Sequence, residues 1–354
     1  MAKSTRTRKK KHASFAHKHK KALTATAVIL ALAIALALPF VTTTASKSAT
    51  IYIPSKGTTT QALTDSLEKN TDPTFASRVI TLLKLSGVKD EVHRHGAFKI
   101  AKGASALKVA YLIRRGEPSE VKFTFNNVRT VEEFAERAGN KFEASKSDFL
   151  KALRDPDICD KCGGHTPENI GCILLADSYK FYWDIAPEKL LRNMYNYYQQ
   201  FWNDDRTEKA KTLGLTPDEV VILASITEEE TSKSDERGKV GRLYINRLHK
   251  NMRLQADPTV KFALGDFSIK RITKDMCAYK SAYNTYRVAG LPPGPIRLPE
   301  KQTIDAILNS QPHNYLYMCA KSDFSGYHDF ATDLAAHNAN AQRYQAELNK
   351  RNIK

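Results

Sequence analysis

The chain has 354 residues, 42% of them hydrophobic, with 55 Lys and Arg against 38 Asp and Glu and a formal net charge of +17. That much apolar side chain, with only 16 Gly and 14 Pro, excludes a collagen-like or wholly disordered chain. The positive balance invites a nucleic-acid reading, but nine of the bases sit in residues 1–21 with no acid among them, which leaves +8 for everything that follows.

Residues 1–21 read as a basic tail and 22–42 as a transmembrane helix, because no charged residue occurs between Ala22 and Ser46. Twenty helical residues span about 30 Å, the thickness of a bilayer core. Positive charge stays on the cytoplasmic side, so the tail points inward and the chain from Lys47 onward points out. A buried core helix would not be flanked by nine bases. A cleaved signal peptide would have a shorter apolar run and a small-residue cleavage site, which Thr43–Ser48 lacks. The expectation is therefore a single-pass anchor in the cytoplasmic (inner) membrane, with the remainder on the extracytoplasmic or periplasmic side. The tail reads as a topology signal that also attracts anionic lipid, and nucleic acid is not expected as a partner.

After the anchor, Thr50–Pro54 and Gly96–Ile100 read as strands, and Thr60–Lys69, Thr74–Ser86 and Ser105–Arg114 have helical apolar spacing. With the alternating strand Val121–Phe125 they make a small α/β unit. Thr130 and Glu133 form a capping box ahead of Phe134–Ala138, and helices follow at Ser147–Leu153 and Pro187–Phe201. Between these last two lie Cys159, Cys162 and Cys172, with His165. Their residue types suit a zinc knuckle, but an oxidising compartment favours a local disulfide. The cysteines total five, an odd number that leaves at least one thiol unpaired within the chain.

Thr216-Pro217-Asp218-Glu219 is a strong helix start. The run that follows, VVILASIT, is apolar on nearly every side, which describes a helix buried in mid-domain. It runs into Glu228, Glu229 and Glu230. Three carboxylates at the end of a buried helix repel one another and meet the negative end of the helix dipole. Both effects raise a carboxyl pKa, as a general acid near neutral pH requires. A solvated charge run is the equally simple alternative. Glu230 lies four and seven residues beyond Ile226 and Leu223, on the same helical stripe. If that stripe faces inward, Glu230 meets the wall of a cleft.

Glu236–Lys250 is an amphipathic helix, and Met252–Val260 reads as a loop carrying Arg253, Gln255 and Asp257. Gly290–Pro299 contains too many prolines for helix or strand and reads as a rigid wall for a polar cleft. Tyr315–Cys319 reads as a short buried strand, and Asp333–Lys350 as a final amphipathic helix.

The segments ASITEEET (Ala224–Thr231), YINRL (Tyr244–Leu248), MRLQADPTV (Met252–Val260), YNTY (Tyr283–Tyr286), GLPPGPI (Gly290–Ile296), YLY (Tyr315–Tyr317) and the His328-x-Phe330 element, in this order, resemble the YceG-like family of endolytic murein transglycosylases. Upstream, TIYIP, GAFKI and LIRRGEP look like that family's LysM-like module. The resemblance implies an α+β protein with a single N-terminal transmembrane helix, a small LysM-like α/β module at 49–125 and a YceG-like α+β catalytic domain at 126–354. It implies one catalytic glutamate, the second of a Glu-Lys-Glu-Thr motif, which falls here on Glu230. The motif's lysine is replaced by Glu229, a charge expected to raise the pKa of the acid beside it. Ala282 stands where the family usually has Pro, and the Cys159–Cys172 stretch has no counterpart.

The implied reaction is that of a lyase. Glu230 protonates the oxygen of the MurNAc–GlcNAc β-1,4 bond in nascent glycan. It then takes the proton of the sugar's own C6 hydroxyl, which closes a 1,6-anhydro end and terminates elongation. No metal and no cofactor are expected. Gln255, Asn284 and Tyr286 are the expected binders of sugar hydroxyls and N-acetyl groups. Asp257 is a candidate for stabilising positive charge, or simply for capping the turn before Pro258. His328 is a candidate cleft residue. The expected partners are peptidoglycan glycan strands and the membrane, with peptidoglycan synthases or division proteins as candidates. The alternatives are a water-using muramidase and a non-catalytic peptidoglycan-binding scaffold.

Overall fold

The computed structural model describes residues 3–351, with side chains from Lys20 onward. Most of the basic tail therefore lies outside the described side chains. The architecture is mixed α+β, with four small two-stranded sheets among the described residues. The first helix runs Lys3–Thr42, and its stretch Lys20–Thr42 is long and apolar enough to cross a bilayer. None of the apolar window of that stretch is buried, so it is not the core helix of a folded domain. The chain divides into two compact units, the first reaching Val121 with this helix included and adding Tyr182–Asp184, the second formed by Lys122–Phe181 and Ile185–Lys354.

In the first unit Ala49–Ile53 pairs antiparallel with Gly96–Ile100, Ile51 opposite Phe98. Ile51, Ile53 and Phe98 point from the sheet into a core completed by Leu63, Leu67, Phe75, Val79, Val109 and Ile113. These come from the helices Thr60–Asn70, Pro73–Leu85 and Ala106–Arg115. Thr59, Asp72 and Ser105 cap the three helices with side-chain oxygens, each supplying an acceptor to an otherwise unpaired first-turn N–H.

In the second unit the strands Glu120–Phe125 and Asp177–Tyr182 pair. Phe123, Phe125, Phe134, Phe142 and Phe181 form an aromatic core beside them with ring centroids 5.0–6.0 Å apart. Strand Asp177–Tyr182 and the helices Asp204–Thr212, Asp257–Leu264 and Lys301–Leu308 were not expected from the sequence. The last two are short, at eight residues each. Asp257–Leu264 opens inside the segment read as a loop, with Pro258 in its first turn.

The centre of the unit is the helix Pro217–Glu230. Thr216 and Glu219 complete a reciprocal capping box at its start, and every residue from Val220 to Glu228 is buried. The helix Arg237–His249 packs against it and against Lys301–Leu308. Gly238 and Gly241 allow the closest approach, since a Cβ at Gly241 would collide with Ile307. The loop 290–299 does not line the cavity at Glu230. It clamps the back of the central helix, with Ile296 N–H donating to Ser225 Oγ at 3.0 Å and Leu298 N–H to the Val128 carbonyl at 2.8 Å.

Two further expectations are corrected. The five cysteines are free, so the local disulfide is not formed. The buried Cys159 turns its thiol to the Leu153 carbonyl, and Cys172 lies against the Asp218 carbonyl. His165 is held between the Cys162 carbonyl and Asp218, and no group of metal-ligating residues occurs among the described residues. The strand near residue 317 runs Tyr317–Ala320 and is half-buried on both faces. The expected final helix is present as Leu334–Lys350, with His337, Ala341, Tyr344 and Leu348 half-buried on one stripe.

Candidate active site

Glu228, Glu229 and Glu230 end the central helix side by side, yet each meets a different environment. Glu228 turns inward. Its carboxylate accepts the Glu300 N–H at 2.7 Å and the Thr303 hydroxyl at 2.5 Å, and it pairs with Arg297 at 3.1 Å. Burial nonetheless pushes its pKa up, against these bonds and the charges of Arg297 and Arg237. Glu229 is taken by two arginines, with Arg129 donating through Nε and Nη2 at 3.2 Å each and Arg297 at 2.7 Å.

Glu230 has no such partner: among the described residues it forms no ion pair. Its Oε1 accepts the Tyr244 hydroxyl at 2.8 Å. Burial raises its pKa to about 7. The Tyr244 hydrogen bond opposes the rise, the charge of Asp257 adds to it, and Arg247 and Lys261 offset part of it. Glu229 was expected to be the charge that perturbs the acid. The pairing of Glu229 with Arg129 and Arg297 takes it out of that role, and burial does the work instead.

A cavity of about 290 Å³ opens in front of Glu230. Its lining includes Tyr244, Arg247, Gln255, Asp257, Tyr286 and His328. Four of the five residues expected to bind substrate thus share one space with Glu230. Asn284 does not. It is fully buried, and its amide donates to the Cys277 and Tyr279 carbonyls at 3.0 and 2.7 Å while accepting the Tyr286 N–H. Its task is to hold the turn that presents Tyr286.

The other lining residues are positioned by long-range bonds. The Tyr286 hydroxyl donates to Asp257 Oδ1 at 2.6 Å. Asp257 occupies the first turn of its helix but makes no cap, since the cap position is Ala256 and carries no side-chain bond. Gln255 has φ +49°, a left-handed conformation unusual for a residue with a Cβ. Its N–H is fixed by the Thr285 carbonyl at 3.1 Å, and Ala256 N–H donates to Thr285 Oγ1 at 3.0 Å. A strained, exposed side chain held by a buried threonine ladder is the kind of device found where a side chain must be aimed. His328 sits on a strand paired with Tyr317–Ala320, and its Nδ1 lies 2.8 Å from the buried Glu236 carboxylate.

Tyr244 and Arg247 were not singled out from the sequence as site residues. Burial and the Glu230 charge push the Tyr244 phenol well above its ordinary value, so it stays a donor. Arg247 is buried and spends its guanidinium on the carbonyls of Leu316 and Leu254 at 2.6 and 2.7 Å. It therefore ties together the two segments that carry Gln255 and Met318. The signal was present as Tyr244 and Arg247 three apart in YINRL, on one face of a helix, but a tyrosine on an apolar stripe reads first as core.

The fold and cavity define an α+β protein that presents one half-buried glutamate without a counter-charge to a polar cleft. The YceG-like family profile matches residues 51–343, and the chain belongs to the YceG-like family. An endolytic murein transglycosylase of Bacillus subtilis is 32% identical over 168 residues, 48% of this chain and 46% of that protein. One from Streptococcus pneumoniae is 28% identical over 144 residues, 39% of this chain and 26% of that protein. The matches thus span less than half the length of these curated relatives. A crystal structure described as a YceG-like protein, from Listeria monocytogenes, superposes with a TM-score of 0.54 at 23% identity, covering 83% of this chain and 98% of that one. At that identity the likeness concerns the fold.

Proposed function

We propose that the protein is an endolytic peptidoglycan lytic transglycosylase, a lyase, and that Glu230 is its single catalytic residue. One observation carries the reading: a carboxyl group with a pKa of about 7, unpaired, facing a polar cavity. Such a group is protonated often enough near neutral pH to act as an acid and ionised often enough to act as a base.

Glu230 donates its proton to the oxygen of the MurNAc–GlcNAc β-1,4 bond as that bond breaks, and positive charge develops at C1 of MurNAc. The carboxylate left behind accepts the Tyr244 hydrogen bond, which stabilises it. It then takes the proton from the MurNAc C6 hydroxyl, whose oxygen bonds to C1 and closes the 1,6-anhydro ring. The glutamate ends as it began. Gln255 and Tyr286 offer hydrogen bonds to hydroxyl and N-acetyl groups, and the Asp257 carboxylate faces the developing positive charge. Acting on nascent strands beside the membrane, the reaction terminates their elongation.

In this reading Lys20–Thr42 is a single-pass anchor with the basic tail inside. The LysM-like module, 49–125, and the catalytic domain, 126–354, then stand on the outer side, near peptidoglycan synthases and division proteins.

A second reading is favoured by Asp257, a carboxylate in the same cavity. Glycosidases that use water need two carboxyl groups about 5–9.5 Å apart, and Asp257 would be the second. The test is digestion of purified uncrosslinked glycan with the wild type and Glu230→Gln, followed by mass spectrometry. Anhydro ends, one water lighter than reducing ends and absent with Glu230→Gln, are expected. Reducing ends would establish the muramidase, and undiminished cleavage by Glu230→Gln would move the catalytic role to another residue.

A further inference from the structure

The first unit carries an exposed apolar patch that the catalytic reading leaves unused. Leu85, Leu107 and Tyr111 are 75%, 48% and 64% exposed. With Leu82, Ala110, Arg114 and Arg115 they line one shallow depression between the ends of the helices Pro73–Leu85 and Ala106–Arg115. Large apolar side chains clustered and left open in this way mark a surface that is covered in use.

The chain itself indicates what covers it. The apolar helix ends at Thr42, and the Thr43 carbonyl accepts the N–H of Ala106, the first residue of the helix bearing the patch, at 3.0 Å. Ala45 and Ala104 exchange a further bond at 2.9 Å, and the Arg78 guanidinium lies 5.9 Å from the Phe40 ring. Leu107 is therefore one residue from the point where the span stops. Four residues along a helix advance about 6 Å, which is close to the depth of one headgroup layer beyond the hydrocarbon core. With the helix leading away from the bilayer, Tyr111 falls at the level of that layer, where tyrosine is enriched.

The charges agree. Leu107, Tyr111 and Arg115 follow at four-residue steps, and Arg114 lies three residues beyond Tyr111, so one face is apolar nearest the span and cationic beyond it. Neither the Pro73–Leu85 nor the Ala106–Arg115 sequence contains an Asp or Glu, while Arg78, Lys84, Lys108, Arg114 and Arg115 supply five bases. Apolar side chains rimmed by arginines fit an interface of acyl chains and anionic headgroups.

We propose that this face rests on the bilayer around the anchor, with Leu85, Leu107 and Tyr111 in the interfacial layer and Arg114 and Arg115 on anionic phospholipid headgroups. The first unit is then fixed against the membrane instead of swinging from it. The proposal rests on the reading of Lys20–Thr42 as a membrane anchor.

The test uses the full chain reconstituted in vesicles of phosphatidylglycerol and phosphatidylethanolamine with brominated acyl chains. Tryptophan is introduced singly as Tyr111→Trp, Leu85→Trp or Phe40→Trp. Quenching is read as the increment over the parent chain, in which Trp183 and Trp202 are constant. Tyr111→Trp and Leu85→Trp are expected to be quenched to within a factor of about two of Phe40→Trp. Adding Arg114→Ala and Arg115→Ala, or replacing phosphatidylglycerol by brominated phosphatidylcholine, should lower the Tyr111→Trp signal several-fold. Quenching of Phe40→Trp alone would overturn the proposal while leaving the anchor intact, and is the result expected if a second copy or another protein covers the patch. Loss of quenching at Phe40→Trp as well would remove both. Equal quenching in the zwitterionic vesicles would overturn the assignment to anionic lipid.

Discussion

Tyr244→Phe isolates the one hydrogen bond made to the Glu230 carboxyl group among the described residues. The phenol donates at 2.8 Å to a carboxyl group already pushed up to about 7. The bond favours the charged form, so removing it raises the pKa further. A hydrogen bond to a charged group contributes about 1.5–3 kcal/mol. At 1.36 kcal/mol per pKa unit that corresponds to a rise of about 1–2 units. Phe keeps the buried ring, so the fold should tolerate the change. Two measurements read the effect. In a carbon-13 carboxyl titration the Glu230 signal should move to higher pH by that amount. In the pH profile of anhydro-end formation the alkaline limb should move the same way, because the acid stays protonated longer. The rate near the optimum should fall, because the carboxylate that takes the C6 proton has lost the donor that stabilised it. An unmoved or acid-shifted Glu230 titration would refute the argument, since it would mean that the Tyr244 bond does not act on the charge of Glu230.

Other outcomes follow from the same geometry. A carboxyl group whose folded pKa lies above its unfolded value contributes stability that is present below about 4.5 and lost as the pH rises through about 7. Glu230→Gln should therefore abolish cleavage yet raise stability at pH 8 relative to the wild type, by about 2–3 kcal/mol after allowing for water at the cavity mouth; urea unfolding at pH 4.5 and 8 checks the difference. Arg297→Ala leaves Glu228 and Glu229 each short of a partner and should destabilise the chain by about 3–5 kcal/mol at pH 7. The loss should shrink in acid as the Glu228 carboxyl protonates, and an equal loss at both pH values would count against it. Gln255→Gly relieves the left-handed backbone and should leave the chain as stable or about 1 kcal/mol more so, while raising KM; thermal unfolding and kinetics separate the two effects.

Much of this was readable from residue order. The capping box at Thr216 and Glu219 and the all-round apolar run after it specified a buried helix, because capping is local and burial on every side leaves no polar face to mistake. The stripe through Leu223 and Ile226 placed Glu230 on an inward face for the same reason. The fate of Glu229 was not readable. Its partner Arg129 lies 100 residues upstream and its partner Arg297 lies 68 downstream, and no local pattern encodes such pairings. Asn284 looked like a sugar binder because amides bind sugars. Its burial under the Tyr286 turn depends on a chain reversal that proline and glycine content does not describe. The Met252–Val260 loop hid a helix because Pro258 reads as a breaker unless it falls in a first turn.

The sequence by itself determined the capped central helix, the apolar span with its flanking bases, and the motif order that assigns the family. The helix, the span and each separate motif are carried by residues within a few turns of one another. Only the tertiary structure decided which of three adjacent glutamates is left without a counter-charge. That choice depends on which arginines the fold delivers to Glu228 and Glu229, and on the walls that keep water from Glu230. It raises the pKa of one of three chemically identical side chains to about 7.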